Sequence, residues 1–411
     1  MLKKTIIYFL SSGIQSSAGV LTILLVQNVL GAGDIATFAI FSVIVSIFDS
    51  FSGMNSFGIY EARFYTNSRR ENEDLVSNLI FLTAFNLFVI LAVLLLANAF
   101  QSSRWAFSEI GRFWIYSAAL ISNLKQFQTI LVTKFQYDRK YWNFLILNAS
   151  NSLVILGLTY LLLNYSSPSW TSRVVPQIVV TIALSLISIY ILHREFSLRL
   201  KLNFVTLKSL LKYGIPLIPH KVSMLLITIG GQLVIELFLD DDLGLSSYFI
   251  ALKFGIIILI VVDVSNRIYA PEINLIIQDN LGGLNKAIFK SFMSILALSF
   301  LFIYIVTFYG KYFLSETYLD SLDYFPYIAM GFVFHGCYTI LINTFFFEEK
   351  TLIISKLSLI SGVLAISSMI FLVNIFGVLG VVVGFVVGQF IKFFVVLIKF
   401  WKSQRYKTSE I

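Results

Sequence analysis

Apolar stretches recur along the chain, each closed by a short polar break, and each is about as long as the twenty residues a helix needs to cross a bilayer core. They lie near 5–30, 36–59, 76–100, 113–132, 142–163, 174–192, 214–239, 245–264, 291–309, 325–347, 352–374 and 377–398. The run from Thr5 to Leu30 is too long for the core of a signal peptide, and no A-x-A site follows it, so it is expected to be the first span. No break has room for a separate soluble domain. The pattern predicts an all-α polytopic membrane protein of about twelve transmembrane helices.

Charge orients the spans. If the N-terminus is cytoplasmic, the inner segments collect 22 of the 30 Lys and Arg residues, and the outer segments only Arg104, Arg112, Arg173 and Lys311. A missed or invented span would invert this bias beyond it, so both termini are expected inside. The five tryptophans, Trp105, Trp114, Trp142, Trp170 and Trp401, all fall at expected span ends, where an amphipathic ring is favoured. Composition agrees. Hydrophobic residues make up 58% of the 411 and charged residues 13%, about half the usual share for a soluble domain. The net charge of +8 then belongs to cytoplasmic loops facing anionic lipid, and no nucleic acid is expected as a partner. Cys337 is the sole cysteine, which excludes an intrachain disulfide.

A basic segment, 194–213, sits at mid-chain, with leucines interspersed among its charges, and reads as an amphipathic helix on the inner membrane surface. It separates an N-terminal six-helix lobe, 1–193, from a C-terminal six-helix lobe, 214–411. The openings of spans two and eight are weakly alike. Ala36-Thr37-Phe38 and Ser246-Ser247-Tyr248 each place a small residue two before an aromatic ring, 210 residues apart, as an internal duplication would.

A charge at mid-bilayer costs about 2.5–3.5 kcal/mol unless it meets water, a partner or a ligand, so intramembrane polar residues are the candidates for function. Lys125 in span four and Lys253 in span eight are read as facing a water-filled cationic cavity. Lys221 follows Pro219, where the helix can unwind, and a cavity role and a structural role are equally open. Asp49 in span two and Asp263 in span eight are read either as proton or sodium sites or as partners of cations. Asp263 and Arg267 form an i, i+4 pair. Lys392 is expected to extend its ammonium to the cytoplasmic interface, and His220 and His335 to be packing residues. Gly380, Gly384 and Gly388 follow the small-xxx-small pattern of close helix packing. Gly31-Ala32-Gly33-Asp34-Ile35-Ala36 fits a dinucleotide fingerprint but follows a membrane helix rather than a strand. No catalytic nucleophile, metal cluster or cofactor motif is found.

The segment Lys212-Tyr213-Gly214-Ile215-Pro216-Leu217-Ile218-Pro219 resembles the start of the seventh helix in polysaccharide flippases of the Wzx type, members of the superfamily that also holds the multidrug and toxin extruders (MOP/MATE). Leu30-Gly31 before Ala36-Thr37-Phe38 is similar to that family's turn between helices one and two. Ser246-Ser247-Tyr248-Phe249-Ile250-Ala251-Leu252-Lys253 is similar to its eighth-helix opening, with Ser246 where Gly is usual, and Asn266-Arg267 through Pro271 to the end of that helix. The resemblance implies a MATE-like pair of lobes that rock about a central cavity. It implies a flippase of undecaprenyl-diphosphate-linked oligosaccharides in the bacterial plasma (inner) membrane, coupled to an ion gradient, with polysaccharide polymerase machinery as a further partner. Lys125, Lys253 and Arg267, then Lys221, become the residues that meet the diphosphate or acidic sugars, and Asp49 and Asp263 the ion-coupling candidates. A drug or cation extruder of the same superfamily is the first alternative, although mid-span lysines outnumber carboxylates. A polysaccharide polymerase is the second, disfavoured by the short external loops.

Overall fold

The computed structural model describes residues 2–64, 67–99, 110–196, 202–278, 283–347 and 351–409. The helices are α1 (Leu2–Gln27), α2 (Ala32–Phe51), α3 (Gly58–Arg63), α4 (Arg69–Ala99), α5 (Arg112–Tyr137), α6 (Tyr141–Tyr165), α7 (Thr171–Phe196), α8 (Phe204–Gly214), α9 (Ile218–Thr228), α10 (Gly230–Phe238), α11 (Asp242–Gln278), α12 (Leu284–Tyr309), α13 (Asp320–Phe347), α14 (Thr351–Phe376) and α15 (Val378–Ser409). Short 3-10 turns at Ser52–Asn55 and Ile215–Leu217 follow α2 and α8, and no strand occurs among the described residues.

Ten stretches among the described residues are long and apolar enough to cross a membrane. Only 11% of the apolar stretch of α6, and 22% of those of α4 and α12, is buried, against 67% for α11 and α13. Phe88, Leu186 and Phe371 are among the large side chains left uncovered. A helix that is apolar all round and mostly bare is stable only where lipid covers it. The protein is therefore a multi-pass membrane protein, with α11 and α13 as inner helices. Two expected spans fall outside the ten. The described apolar part of α1 is short, Ser17–Gln27. The 26 residues of α5 include Asn123, Lys125, Gln126 and Gln128, which lower its hydropathy.

Two spans are built differently from expectation. The seventh, expected over 214–239 with unwinding at Pro219, is interrupted at Ile215–Leu217 and again at Ile229. Pro216 and Pro219 supply no N–H to close a helical turn. The eighth, expected at 245–264, continues as one 37-residue helix to Gln278.

The chain forms two compact units, one of Met1–Ala18 and Thr37–Ile218, the other of Gly19–Ala36 and Pro219–Ile411. The division expected at 193/214 thus differs in two respects. The 204–218 region belongs with the first unit. Gly19–Ala36, the end of α1 and the turn into α2, belongs with the second. Long-range hydrogen bonds explain the latter. The Gln27 Nε2 donates to the Phe313 carbonyl (2.8 Å), the Tyr318 hydroxyl to the Leu30 carbonyl (3.3 Å) and the Ser246 hydroxyl to the Ala32 carbonyl (2.8 Å).

In the first unit, Tyr60, Leu79, Leu131, Leu192 and Leu210 share one buried cluster. Asn203 caps α8 by accepting from the Val205 and Thr206 N–H groups, and its own N–H donates to Asn78 Oδ1 (3.1 Å). At the ends of α5 and α7 the buried Lys134 ammonium pairs with Asp138 and with Glu195 (3.1 Å), and Lys140 also reaches Glu195 (2.8 Å). In the second unit the glycine row of α15 lies against α14. A Cβ at Gly384 would stand 2.8 Å from the Met369 Cα, and one at Gly388 would stand 2.3 Å from the Ala365 Cβ. The small-xxx-small spacing is therefore a packing surface.

Gly384→Leu is expected to lower the thermal unfolding midpoint of the detergent-purified protein, since overpacking costs about 1–3 kcal/mol and the obstacle is backbone. Gly157→Leu on α6, with nothing within 4 Å of the new Cβ, is the control and leaves the midpoint unchanged.

Candidate functional site

In the first unit the second span ends in a break, the 3-10 turn Ser52–Asn55 that follows α2. Gly53, Met54 and Asn55 have φ of 54°, 51° and 53° in succession, a left-handed run of which two members are not glycine. Irregular backbone at membrane depth survives only if protein satisfies its polar groups. Here Asn86 Nδ2 donates to the Phe51 carbonyl (2.9 Å) and to Asn123 Oδ1 (3.1 Å). Asn55 Nδ2 donates to the Ser50 carbonyl (2.8 Å), and the Ser52 hydroxyl to the Ser122 carbonyl (3.2 Å). Asn86 and Asn123 come from α4 and α5 and are fully buried.

Two of the sequence candidates flank this break. Asp49 is half-buried, one turn before it on α2. Lys125 is exposed on α5, two residues beyond Asn123. Among the described residues, no ion pair engages either of them. The polar group that the sequence places on span four therefore divides. Asn123 and Gln128 turn inward, the latter donating to the Thr181 carbonyl (3.0 Å) and Ser185 Oγ (3.1 Å) of α7, while Lys125 turns outward.

The other candidates belong to the second unit. Lys253 on α11 is half-buried, its ammonium 4.7 Å from the centre of the Phe249 ring. Lys221, two residues after Pro219 in the first turn of α9, is exposed. Asp263 and Arg267 lie on the second half of α11, and their side chains are outside the described residues. The structure thus distributes the six candidates over both units.

Lys392 corrects an expectation. Rather than extending to an interface, it is buried at 1% exposure, 14 residues after the first residue of α15, or about 21 Å along the axis. Its ammonium lies 3.9 Å from the centre of the Tyr338 ring and touches the Met224 sulfur. The sequence held the signal. Lys392 continues the four-residue row Gly380, Gly384, Gly388, which is the packing face of α15 and not its lipid face.

No protein-family model matches the chain. Over 271 residues it is 23% identical to the Lsg locus protein 1 of Haemophilus influenzae, a match covering 62% of this chain and 65% of that one, so it spans just under two thirds of this relative's length. Among solved structures, the lipid II flippase MurJ in an inward closed conformation is similar with a TM-score of 0.71 at 16% identity, covering 97% of this chain and 87% of that one. A variant of the Vibrio cholerae MATE transporter VcmN gives 0.68 at 13% identity, covering 98% and 96%. An outward-facing multidrug resistance MATE family transporter of the MOP superfamily gives 0.69 at 12% identity, covering 99% and 95%. At these identities the likeness establishes the fold, which is that shared by MurJ and the MATE transporters.

Asn86→Leu removes the donor to the part-buried Phe51 carbonyl and a buried donor to Asn123 Oδ1, a loss of about 1–3 kcal/mol. A lower thermal unfolding midpoint is expected for it, and none for Phe88→Ala, whose ring is 69% exposed on the same helix.

Proposed function

We propose that this protein is a flippase of undecaprenyl-diphosphate-linked oligosaccharide repeat units, carrying them from the cytoplasmic to the outer face of a bacterial plasma membrane by alternating access. The observation that carries the reading is Lys125. It sits midway along a 26-residue helix and its side chain is exposed. Lipid does not tolerate an ammonium at that depth, so water or a polar ligand must meet it. Lys221, also exposed, and the half-buried Lys253 add to the same cationic character. The fold shared with a lipid II flippase, and the resemblance of the 212–219 and 246–253 segments to Wzx-type flippases, support the same class of cargo.

The physical logic is simple. An isoprenoid tail is at home in lipid, while a diphosphate and its sugars are not. A polar groove lets the head group cross hydrated while the tail stays in the bilayer. Lys125, Lys253 and Arg267, with Lys221, offset the diphosphate charge. They do so through a hydrated path, where each pair is worth only a few kcal/mol and release stays fast. Asp49, beside the break in span two, is the first candidate for ion coupling, and Asp263 is the second. In this reading the six-helix halves are the moving parts, polysaccharide polymerase machinery receives the product, and the protein makes or breaks no covalent bond.

The likeness to MATE transporters favours a second reading, export of drugs or cations. Exposed cations at mid-span argue against it, since cationic cargo is best met by carboxylates.

Deleting the gene is expected to leave complete, unpolymerised lipid-linked units on the cytoplasmic leaflet. Accumulation on the outer leaflet would indicate a polymerase instead, and no change in either leaflet the drug exporter. In complementation, Lys125→Ala and Lys253→Ala are each expected to cut glycan export about tenfold, equivalent to about 1.4 kcal/mol of lost stabilisation. Intact export in both variants rules out the cationic path.

A further inference from the structure

The buried surroundings of Lys392 are chemically one-sided. His220 of α9 shares a hydrogen bond with the Ser358 hydroxyl of α14 (2.8 Å), and the Tyr338 hydroxyl of α13 lies 3.3 Å from the same oxygen. His335 stacks on Tyr338 with ring centres 6.0 Å apart, and its Nδ1 has no hydrogen-bond partner. One turn before Lys392, the amide of Gln389 is fully buried and unpartnered at both ends. Tyr338 links the three groups, with the Lys392 ammonium 3.9 Å from its ring centre, His335 stacked on that ring and its hydroxyl beside the Ser358 oxygen that meets His220. Of the other ionisable groups on the packed helices, Lys253 of α11 lies over the Phe249 ring and the Cys337 thiol of α13 is buried. Lys221 and Lys356 are exposed, Glu236 of α10 is half-buried, and Tyr248 of α11 is buried against Gly231. Among the described residues no carboxylate pairs with Lys392. The side chain of Asp263 on α11 lies outside them.

We infer that Lys392, His220 and His335 form a proton-binding site inside the second unit, holding one proton among three bases and releasing it through His220. Three bases this close, with no described acid among them, do not all carry charge. Like charges in a desolvated space exclude one another, so their protons come on and off as a coupled set. The ligand must also be one that needs no cavity, because Lys392, Tyr338 and Ser358 are each at most 3% exposed. The proton meets that condition. Loading forms one N–H bond at Lys392 Nζ or at an imidazole nitrogen, with hydronium as the donor, and unloading returns the proton to water. Both imidazoles are half-buried, and His220 forms the outlet because it lies on the discontinuous α9 and its hydrogen bonding continues inward through Ser358 and Tyr338.

Both Met224, which touches the ammonium, and His220 belong to α9, the helix interrupted at Ile215–Leu217 before it and at Ile229 after it. A change of charge at Lys392 therefore acts directly on a discontinuous span, the element that transporters use to build ion sites. Coupling of this proton to translocation rests on the flippase reading. The existence of the site does not.

The first test needs no substrate. The chain has three histidines, His193, His220 and His335, so imidazole NMR signals of the full-length protein in lipid nanodiscs can be assigned by single substitutions. Between wild type and Lys392→Met, the pH response of the His220 and His335 signals is expected to move by about one unit or more, as coupled sites do. The exposed His193 on α7 should titrate identically in both. Identical titrations of His220 and His335 overturn the site. If Lys392→Met does not fold, His335→Gln read at His220 makes the same comparison, with the same overturning result. Should Asp263→Asn shift the two imidazoles as far as Lys392→Met does, the ammonium is paired with that acid and the base-only site is wrong. In proteoliposomes, Lys392→Met is expected to abolish the response of lipid-linked oligosaccharide flipping to a pH gradient while leaving gradient-free equilibration. A retained response removes the coupling alone.

Discussion

Hydrocarbon offers a polar group nothing to bond with, and an unpaired backbone N–H or carbonyl there costs several kcal/mol. That single constraint organises this molecule. It makes the spans helical, because a helix closes its own hydrogen bonds. It makes every departure from helix a place where side chains from neighbouring spans must intervene. The left-handed run Gly53–Asn55 is the clearest instance. Asn86 arrives from α4 with an amide that donates to the Phe51 carbonyl beside it, and Asn123 of α5 accepts from that amide and from the Ser52 hydroxyl.

The same constraint separates two kinds of polar residue that look alike in a sequence. Asn123, Gln128 and Ser185 are satisfied within the protein and join helices. Lys125 points away from that network. Residues of the first kind hold the scaffold and those of the second face whatever crosses it. Lys392 belongs to neither class. It is enclosed like a packing residue yet carries an ionisable group, facing an aromatic ring and a thioether where a carboxylate would be the ordinary neighbour. An ammonium held that way is a poor structural element and a good titratable one, because its charge is only marginally supported by what surrounds it.

Close packing supplies the rest. The glycine row of α15 lets α14 approach to backbone contact, and the position that continues the row is buried against Tyr338 of α13 and Met224 of α9. Burial of Lys392 is thus a consequence of helix packing, and its chemistry follows from the burial.

How much of this was legible in the chain can be argued residue by residue. Apolar length predicted helices that cross lipid, and the glycine spacing predicted which face of α15 packs, because both depend on local periodicity that any fold must respect. The mid-span lysines were visible as anomalies because their cost in lipid is independent of partners. The breaks at Ser52–Asn55 and Ile229 were not legible, since they are stabilised by residues distant in sequence or by packing alone. Nor was the transfer of Gly19–Ala36 to the second unit, which depends on hydrogen bonds to Phe313, Tyr318 and Ser246, more than two hundred residues away. Sequence by itself determined which segments enter the membrane, because transfer into hydrocarbon is a sum over residues. Only the tertiary structure decided which polar groups are satisfied and which remain poised, because hydrogen bonding and desolvation depend on the neighbour across the helix interface.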